Sequence, residues 1–84
     1  MNSIYIRKRT MRSGRVYLYL QYYPPIRNPR TNKAIRWEAL KLEMFPNPKT
    51  TFEREHNKSM IEMAEIIKSK RMMLLAGESY GFID

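Results

Sequence analysis

The sequence predicts an α+β domain in which a three-stranded antiparallel sheet packs against one long C-terminal helix. Two observations lead there. Apolar residues alternate with period two up to about residue 45 and recur every three or four positions after residue 50. Clusters of turn-forming residues, Thr10–Gly14, Pro24–Lys33 and Pro46–Lys49, separate the segments. With 84 residues the chain supports one small core, burying about 60–65% of the surface that the unfolded chain exposes.

From Ser3 to Arg9 the alternation puts Ile4 and Ile6 on one face and Tyr5, Arg7 and Arg9 on the other. Thr10-Met11-Arg12-Ser13-Gly14 supplies the turn, with Gly14 free to take a positive φ. The second strand, Arg15 to Tyr23, is the clearest element. Val16, Leu18, Leu20 and Tyr22 alternate with Arg15, Tyr17, Tyr19, Gln21 and Tyr23. Pro24-Pro25 should end it, because proline cannot donate to a ladder, and residues 24–33 then form a polar, basic loop. A third strand from Ala34 to about Met44 has two competing phases. Ile35, Trp37 and Ala39 share one parity, and Leu40, Leu42 and Met44 share the other. A bulge near Glu38–Leu40 would reconcile them by changing which face is buried.

Thr50-Thr51-Phe52-Glu53 reads as a capping box, with Thr50 at the N-cap and Glu53 at N3. The apolar stripe that follows is Phe52, His56, Met60, Met63, Ile67 and Leu74, flanked by Ala64, Ile66 and Met73. Gly77 is the expected stop, giving a helix over 51–75 whose last turns project beyond a sheet of this width. Lys68-Ser69-Lys70-Arg71 falls where cations suit a helix C-terminus. Ser79–Asp84 reads as the start of a linker.

Charge carries the functional signal. Residues 1–41 hold ten bases and a single acid, Glu38, whereas residues 42–84 hold six bases and seven acids. A half-chain this one-sided points to a polyanion; nucleic acid is the commonest in a cytoplasm, and an anionic membrane surface is the competitor. Several other classes are excluded. Cysteine is absent, which removes disulfides and thiolate metal sites and fits a cytoplasmic setting. His56 is the single histidine and lies on the helix stripe, where a packed or hydrogen-bonded role is expected. The seven methionines fit as core filler, with Met60, Met63 and Met73 on the helix. No apolar run is long enough to span a bilayer, and the opening Met-Asn-Ser-Ile-Tyr lacks the basic-then-apolar order expected of a signal peptide. No phosphate loop, paired carboxylates or activated nucleophile is found, so no enzyme activity, cofactor, metal or small-molecule substrate is expected.

If the Ile4, Ile6, Val16, Leu18 and Leu20 face packs on the helix, the opposite face presents Arg7, Arg9, Arg15, Tyr17, Tyr19 and Gln21. Arg36 joins it if the third strand buries Leu40 and Leu42 and its bulge lies further along. Guanidinium groups fork onto phosphates or guanine edges, glutamine pairs with adenine, and tyrosine donates or stacks. The loop after the second strand adds Arg27, Arg30 and Lys33 as candidate phosphate contacts.

The order of pieces resembles one family. The segments that carry the likeness are Tyr23-Pro24-Pro25 with Asn28-Pro29, Lys49-Thr50 and Glu53-Arg54-Glu55-His56-Asn57-Lys58. Together with the strands and the Gly-Glu-Ser-Tyr-Gly-Phe tail, they are similar to the N-terminal arm-type DNA-binding domain of tyrosine-recombinase integrases from conjugative transposons and related elements. That resemblance implies a sheet inserted into the major groove of double-stranded DNA at arm-type sites. It implies a domain at 1–78, a linker from 79 to 84 towards core-binding and catalytic domains, and contacts with other integrase protomers. Asn32 stands where a glycine is expected in the Thr-x-Lys turn, a conformation asparagine tolerates. The family's catalytic tyrosine and arginines have no counterpart here. The expected function is therefore DNA binding in integration and recombination. Two alternatives are a double-stranded or ribosomal-type RNA binder, and a protein-interaction module that uses the long helix.

Overall fold

The computed structural model describes residues 3–27 and 31–81, with side chains through Ala76. Strands β1 (Ser3–Thr10), β2 (Val16–Arg27) and β3 (Ala34–Met44) form an antiparallel sheet with β2 in the centre. Helix α1 (Thr51–Gly81) packs on one face. The fold class is the one the sequence predicts.

The β1–β2 connection closes when the Met11 N–H donates to the Arg15 carbonyl (2.7 Å) and the Gly14 N–H to the Met11 carbonyl (2.9 Å). Gly14 has φ 91°. A Cβ there would meet nothing within 4 Å, so the constraint is conformational and not one of space. β2 does not stop at Pro24-Pro25 but runs on to Arg27, and the Tyr23–Pro24 peptide is cis. The prolines are tolerated because the ladder is already interrupted. Gln21 pairs with Trp37, pairing resumes at Ile26 with Ile35, and Tyr22–Pro25 therefore lie opposite Arg36 alone.

β3 has the expected bounds but a different irregularity. The bulge is at Leu40–Lys41, between the Leu18–Leu42 and Tyr19–Ala39 pairs. It inserts two residues, so parity is unchanged, and Glu38, Leu40, Leu42 and Met44 all stay on the helix side. The expected change of face occurs instead at Arg36: Ile35 packs into the core, whereas Trp37 is exposed.

Two buried clusters make the core. Val16, Leu18 and Met44 enclose Ala64, with Met60 and Leu42 alongside. Ile4, Leu20 and Tyr22 receive Leu75, with Ile67, Ile26 and Ile35 alongside. Ile6 and Leu40 pack against both and join them. The helix thus faces the sheet through His56, Asn57, Met60, Ala64, Ile67, Arg71 and Leu75, a spacing of three, four and one that keeps one face inward. The predicted stripe is correct at His56, Met60 and Ile67. It is wrong at Phe52, Met63, Leu74, Ile66 and Met73, which are all exposed. Ala64 is fully enclosed, and its small side chain lets the helix approach the sheet. Lys68 is half-buried.

Polar latches hold the helix at both ends of this contact. Asn57, the buried polar residue among those described, accepts from the Phe45 N–H (2.8 Å) and donates through Nδ2 to the Phe45 carbonyl (2.9 Å). His56 Nε2 lies 2.8 Å from the Glu43 carbonyl; a carbonyl only accepts, so Nε2 carries the proton. The His56 ring also meets Phe45 edge-on at 5.1 Å. At the other latch Arg71 forks onto Glu38, Nε to Oε1 at 2.9 Å and Nη2 to Oε2 at 2.7 Å. The Tyr22 hydroxyl donates to the same Oε1 at 2.6 Å. Arg71 is therefore a structural cation in mid-helix and not a partner of the C-terminal dipole.

The N-cap forms as predicted, with one difference. The Glu53 N–H donates to Thr50 Oγ1 (3.1 Å), but the Glu53 carboxylate accepts from the N–H of Lys49 (2.8 Å) and not of Thr50. The helix continues through Gly77 to Gly81, since a glycine in a helix costs only about 1 kcal/mol relative to alanine. The residues expected to open a linker thus begin inside the last turn of α1, and 82–84 lie outside the described residues.

The Arg71 fork holds the Glu38 carboxyl below its ordinary value against the opposing effect of burial, and the Tyr22 hydroxyl adds to the depression. Burial, and then the hydrogen bond to Glu38, push the Tyr22 phenol well above its ordinary value. A depressed carboxylate contributes stability that is fully present above its unfolded pKa of about 4.3 and is lost as pH falls through its lower folded value. Glu38→Gln should cost about 1–2 kcal/mol at pH 7, and the gap from wild type should close as urea unfolding is repeated from pH 5 down to about 3. Thr50→Ala should cost about 0.5–2 kcal/mol, with no dependence on pH over the same series.

Candidate nucleic-acid interface

The face of the sheet away from the helix is organised in rows by the strand register. Tyr5, Gln21 and Trp37 lie side by side; Arg7, Tyr19 and Ala39 form the next row; Arg9, Tyr17 and Glu43 form the third. Period-two alternation brings these side chains to one side, because residues paired across an antiparallel ladder share a face.

The rows are tied to each other. Arg7 Nε donates to Gln21 Oε1 at 2.8 Å, and the Arg7 guanidinium lies 5.2 Å from the centre of the Tyr5 ring, within cation–π range. Tyr19 and Trp37 meet edge to face at 6.5 Å. Tyr17 donates to Glu43 at 3.4 Å, and Arg15 lies 3.8 Å from the same carboxylate. The Tyr17 hydroxyl first, and the Glu43 charge second, hold the Arg15 guanidinium above its ordinary value. The acid on this face is therefore occupied by its own neighbours.

The structure brings Arg7, Arg9, Tyr17, Tyr19 and Gln21 together as predicted. Arg15 sits at the turn, just before β2, and reaches the face through Glu43. Arg27 belongs to the end of β2 and not to a loop; it pairs with Ala34 and donates to Asn32 Oδ1 at 3.2 Å. Asn32 has φ 60°, the left-handed conformation expected of it. Lys33 is exposed beside it, its N–H donating to Thr31 Oγ1 at 3.4 Å. Arg36 is exposed but lies at the break in register, outside the three rows. Arg30, with Asn28 and Pro29, lies outside the described residues.

Sequence reasoning left Trp37, Tyr5 and Lys41 out of the site. Trp37 is 58% exposed. Choosing the Leu40–Leu42–Met44 phase for β3 would have turned it outward. Tyr5 shares the parity of Arg7 and needed only to be counted. Lys41 could not be placed without knowing the size of the bulge. Together the groups on this face are hydrogen-bond donors and aromatic surfaces, suited to bind anionic oxygen and flat, polar-edged rings.

Among the described residues no group of three metal-binding side chains occurs, and no helix is long and apolar enough to cross a membrane. Comparison with known proteins found no match among curated proteins or solved structures. Residues 4–75 match the family model of the arm DNA-binding domain. That stretch takes in all three strands, both polar latches and the core-facing length of α1, and on it the chain belongs to the arm DNA-binding domain family, a DNA-binding and non-catalytic module.

Proposed function

We propose that this domain docks the exposed face of its sheet in the major groove of duplex DNA, as the arm-site-binding part of a tyrosine-recombinase integrase. The observation that carries the reading is the row arrangement of Arg7, Gln21, Tyr19 and Arg9 on the side of the sheet opposite the helix. Three strands spaced about 4.8 Å apart make a backbone slab about 10 Å wide, which suits a groove about 12 Å wide. The Arg7–Gln21 bond supports base reading. It uses Arg7 Nε and the Gln21 oxygen, leaving the two terminal guanidinium nitrogens and the Gln21 amide N–H groups. Those are the donors that meet guanine O6 and N7 and adenine N7. Arg27 and Lys33, at the far end of the sheet, act as phosphate contacts, as does Arg36 beside the break in register. On this reading residues 1–78 are the arm-binding domain, and 79–84 begin the connection to core-binding and catalytic domains of the parent protein.

Electrostatics supplies the first test. Five to seven phosphate contacts correspond to a log–log salt slope of roughly −4 to −6. Anisotropy titrations of labelled duplex DNA between 50 and 200 mM KCl should give that slope, and matched RNA duplexes should compete poorly. A flat response, or an RNA duplex that competes as well as DNA, would overturn the reading.

Substitution separates the roles. Arg7→Ala and Gln21→Ala should each cost about 1–3 kcal/mol and flatten the sequence preference obtained by selection from a random duplex pool. Because the two side chains are bonded to each other, the double variant should cost less than the sum of the single ones. Lys33→Ala should weaken binding on every duplex alike. Equal, small and additive effects at all three positions would remove the sheet as the reading surface.

A further inference from the structure

Lys41 stands in the left-handed region at φ 60°, in the two-residue bulge of β3. Glycine is the residue that tolerates such a conformation without cost, and bulges that need it commonly carry one. A lysine held there indicates that its side chain contributes something glycine would not. Its surroundings say what. Lys41 lines an open groove of about 690 Å³ on the exposed face, together with Arg9, Tyr17, Tyr19 and Trp37. The floor of the groove includes Ala39, the small side chain of the middle row. No carboxylate or side-chain acceptor among the described residues pairs with the side chains of Arg9 or Lys41. The nearby acid, Glu43, is engaged by Tyr17 and Arg15. The groove is thus an uncompensated pair of cations, Arg9 and Lys41, over aromatic walls.

We infer that Lys41, presented by the bulge, binds a DNA backbone phosphate at this groove together with Arg9, and fixes how the sheet sits on the duplex. The inference rests on the DNA reading above and adds to it a contact from β3. An ammonium on a flexible stem suits a point contact to phosphate better than a base edge. Its loss should therefore weaken all sequences alike.

Lys41→Gly gives a test in which folding and binding move in opposite directions. Relief of the positive φ should leave the urea midpoint of the full domain at or above that of wild type. Binding to a labelled 24-base-pair mixed-sequence duplex should fall about three- to tenfold, and the log–log salt slope should become shallower by about 0.9. Lys41→Arg should retain the wild-type slope. If Lys41→Gly binds with an unchanged slope while wild type shows its steep salt dependence, the phosphate contact is wrong and the DNA reading stands. A lowered midpoint with unchanged slope would make Lys41 structural and overturn the inference. If wild type itself fails to bind the duplex, both readings fall together.

Discussion

Which side of β3 faces outward is decided by a carboxylate. Glu38 lies on the helix side of the sheet, next to the core, where an unpaired charge would be costly. Arg71 makes that placement possible by forking onto both oxygens, and Tyr22 fills a remaining acceptor position on Oε1. With Glu38 fixed inward, Trp37 and Ala39 must point outward, because neighbours along a strand alternate. The row of Tyr5, Gln21 and Trp37 and the groove over Ala39 both follow from this. One ion pair therefore does two things: it joins helix, central strand and edge strand, and it selects the face of the sheet that remains exposed.

The helix needs such latches because its apolar contact is thin. Among the described residues only Ala64 and Leu75 are buried apolar residues on α1, while Phe52, Met63, Ile66, Met73 and Leu74 stay exposed. A face that buries so little could slide or rotate by one residue at small cost in area. Asn57 on the Phe45 backbone and Arg71 on Glu38 prevent this, since each makes two hydrogen bonds that a rotated helix would break. The two contacts are three to four turns apart along α1, so together they fix both the rotation and the tilt of the helix. Position on the sheet is set by polar geometry, and apolar area supplies the cohesion.

This also explains what was legible in the sequence. The strands up to Tyr23, the turn at Gly14, the Thr50 cap and the outward parity of Arg7, Arg9, Tyr17, Tyr19 and Gln21 all rest on local rules. Alternation, turn chemistry and capping act within a few residues, so a single chain displays them. What the sequence concealed depends on partners far apart along it. Apolar residues lie on both sides of α1, so hydrophobicity could not choose between the Met63–Leu74 side and the Ala64–Leu75 side. The choice was made by Asn57 and Arg71, whose partners are twelve and thirty-three residues away. The continuation of β2 through Pro24-Pro25 likewise depends on the gap opposite Arg36, a property of the pairing and invisible along the strand itself.

The exposed face combines two kinds of cation, and the difference has a physical consequence. Arg7 is held by Gln21 and lies over Tyr5, so much of its side-chain freedom is already spent before any ligand arrives. Ordering a long side chain on binding costs about 0.5–1.5 kcal/mol. A group fixed in advance avoids part of that cost and presents its donors in one geometry, as discrimination between base edges requires. Arg9 and Lys41 have no such ties, and in the proposed docking they can follow a phosphate through a range of positions, which suits an attraction that is the same on every sequence. Fixed groups lie where Gln21 and Tyr5 can hold them, near the middle of the sheet. The untied ones, Arg9 and Lys41, lie toward the hairpin end and the bulge. In the proposed docking the sheet separates reading from tethering by how firmly each cation is held, and that separation begins with the strand register that places Arg7 one row from Gln21.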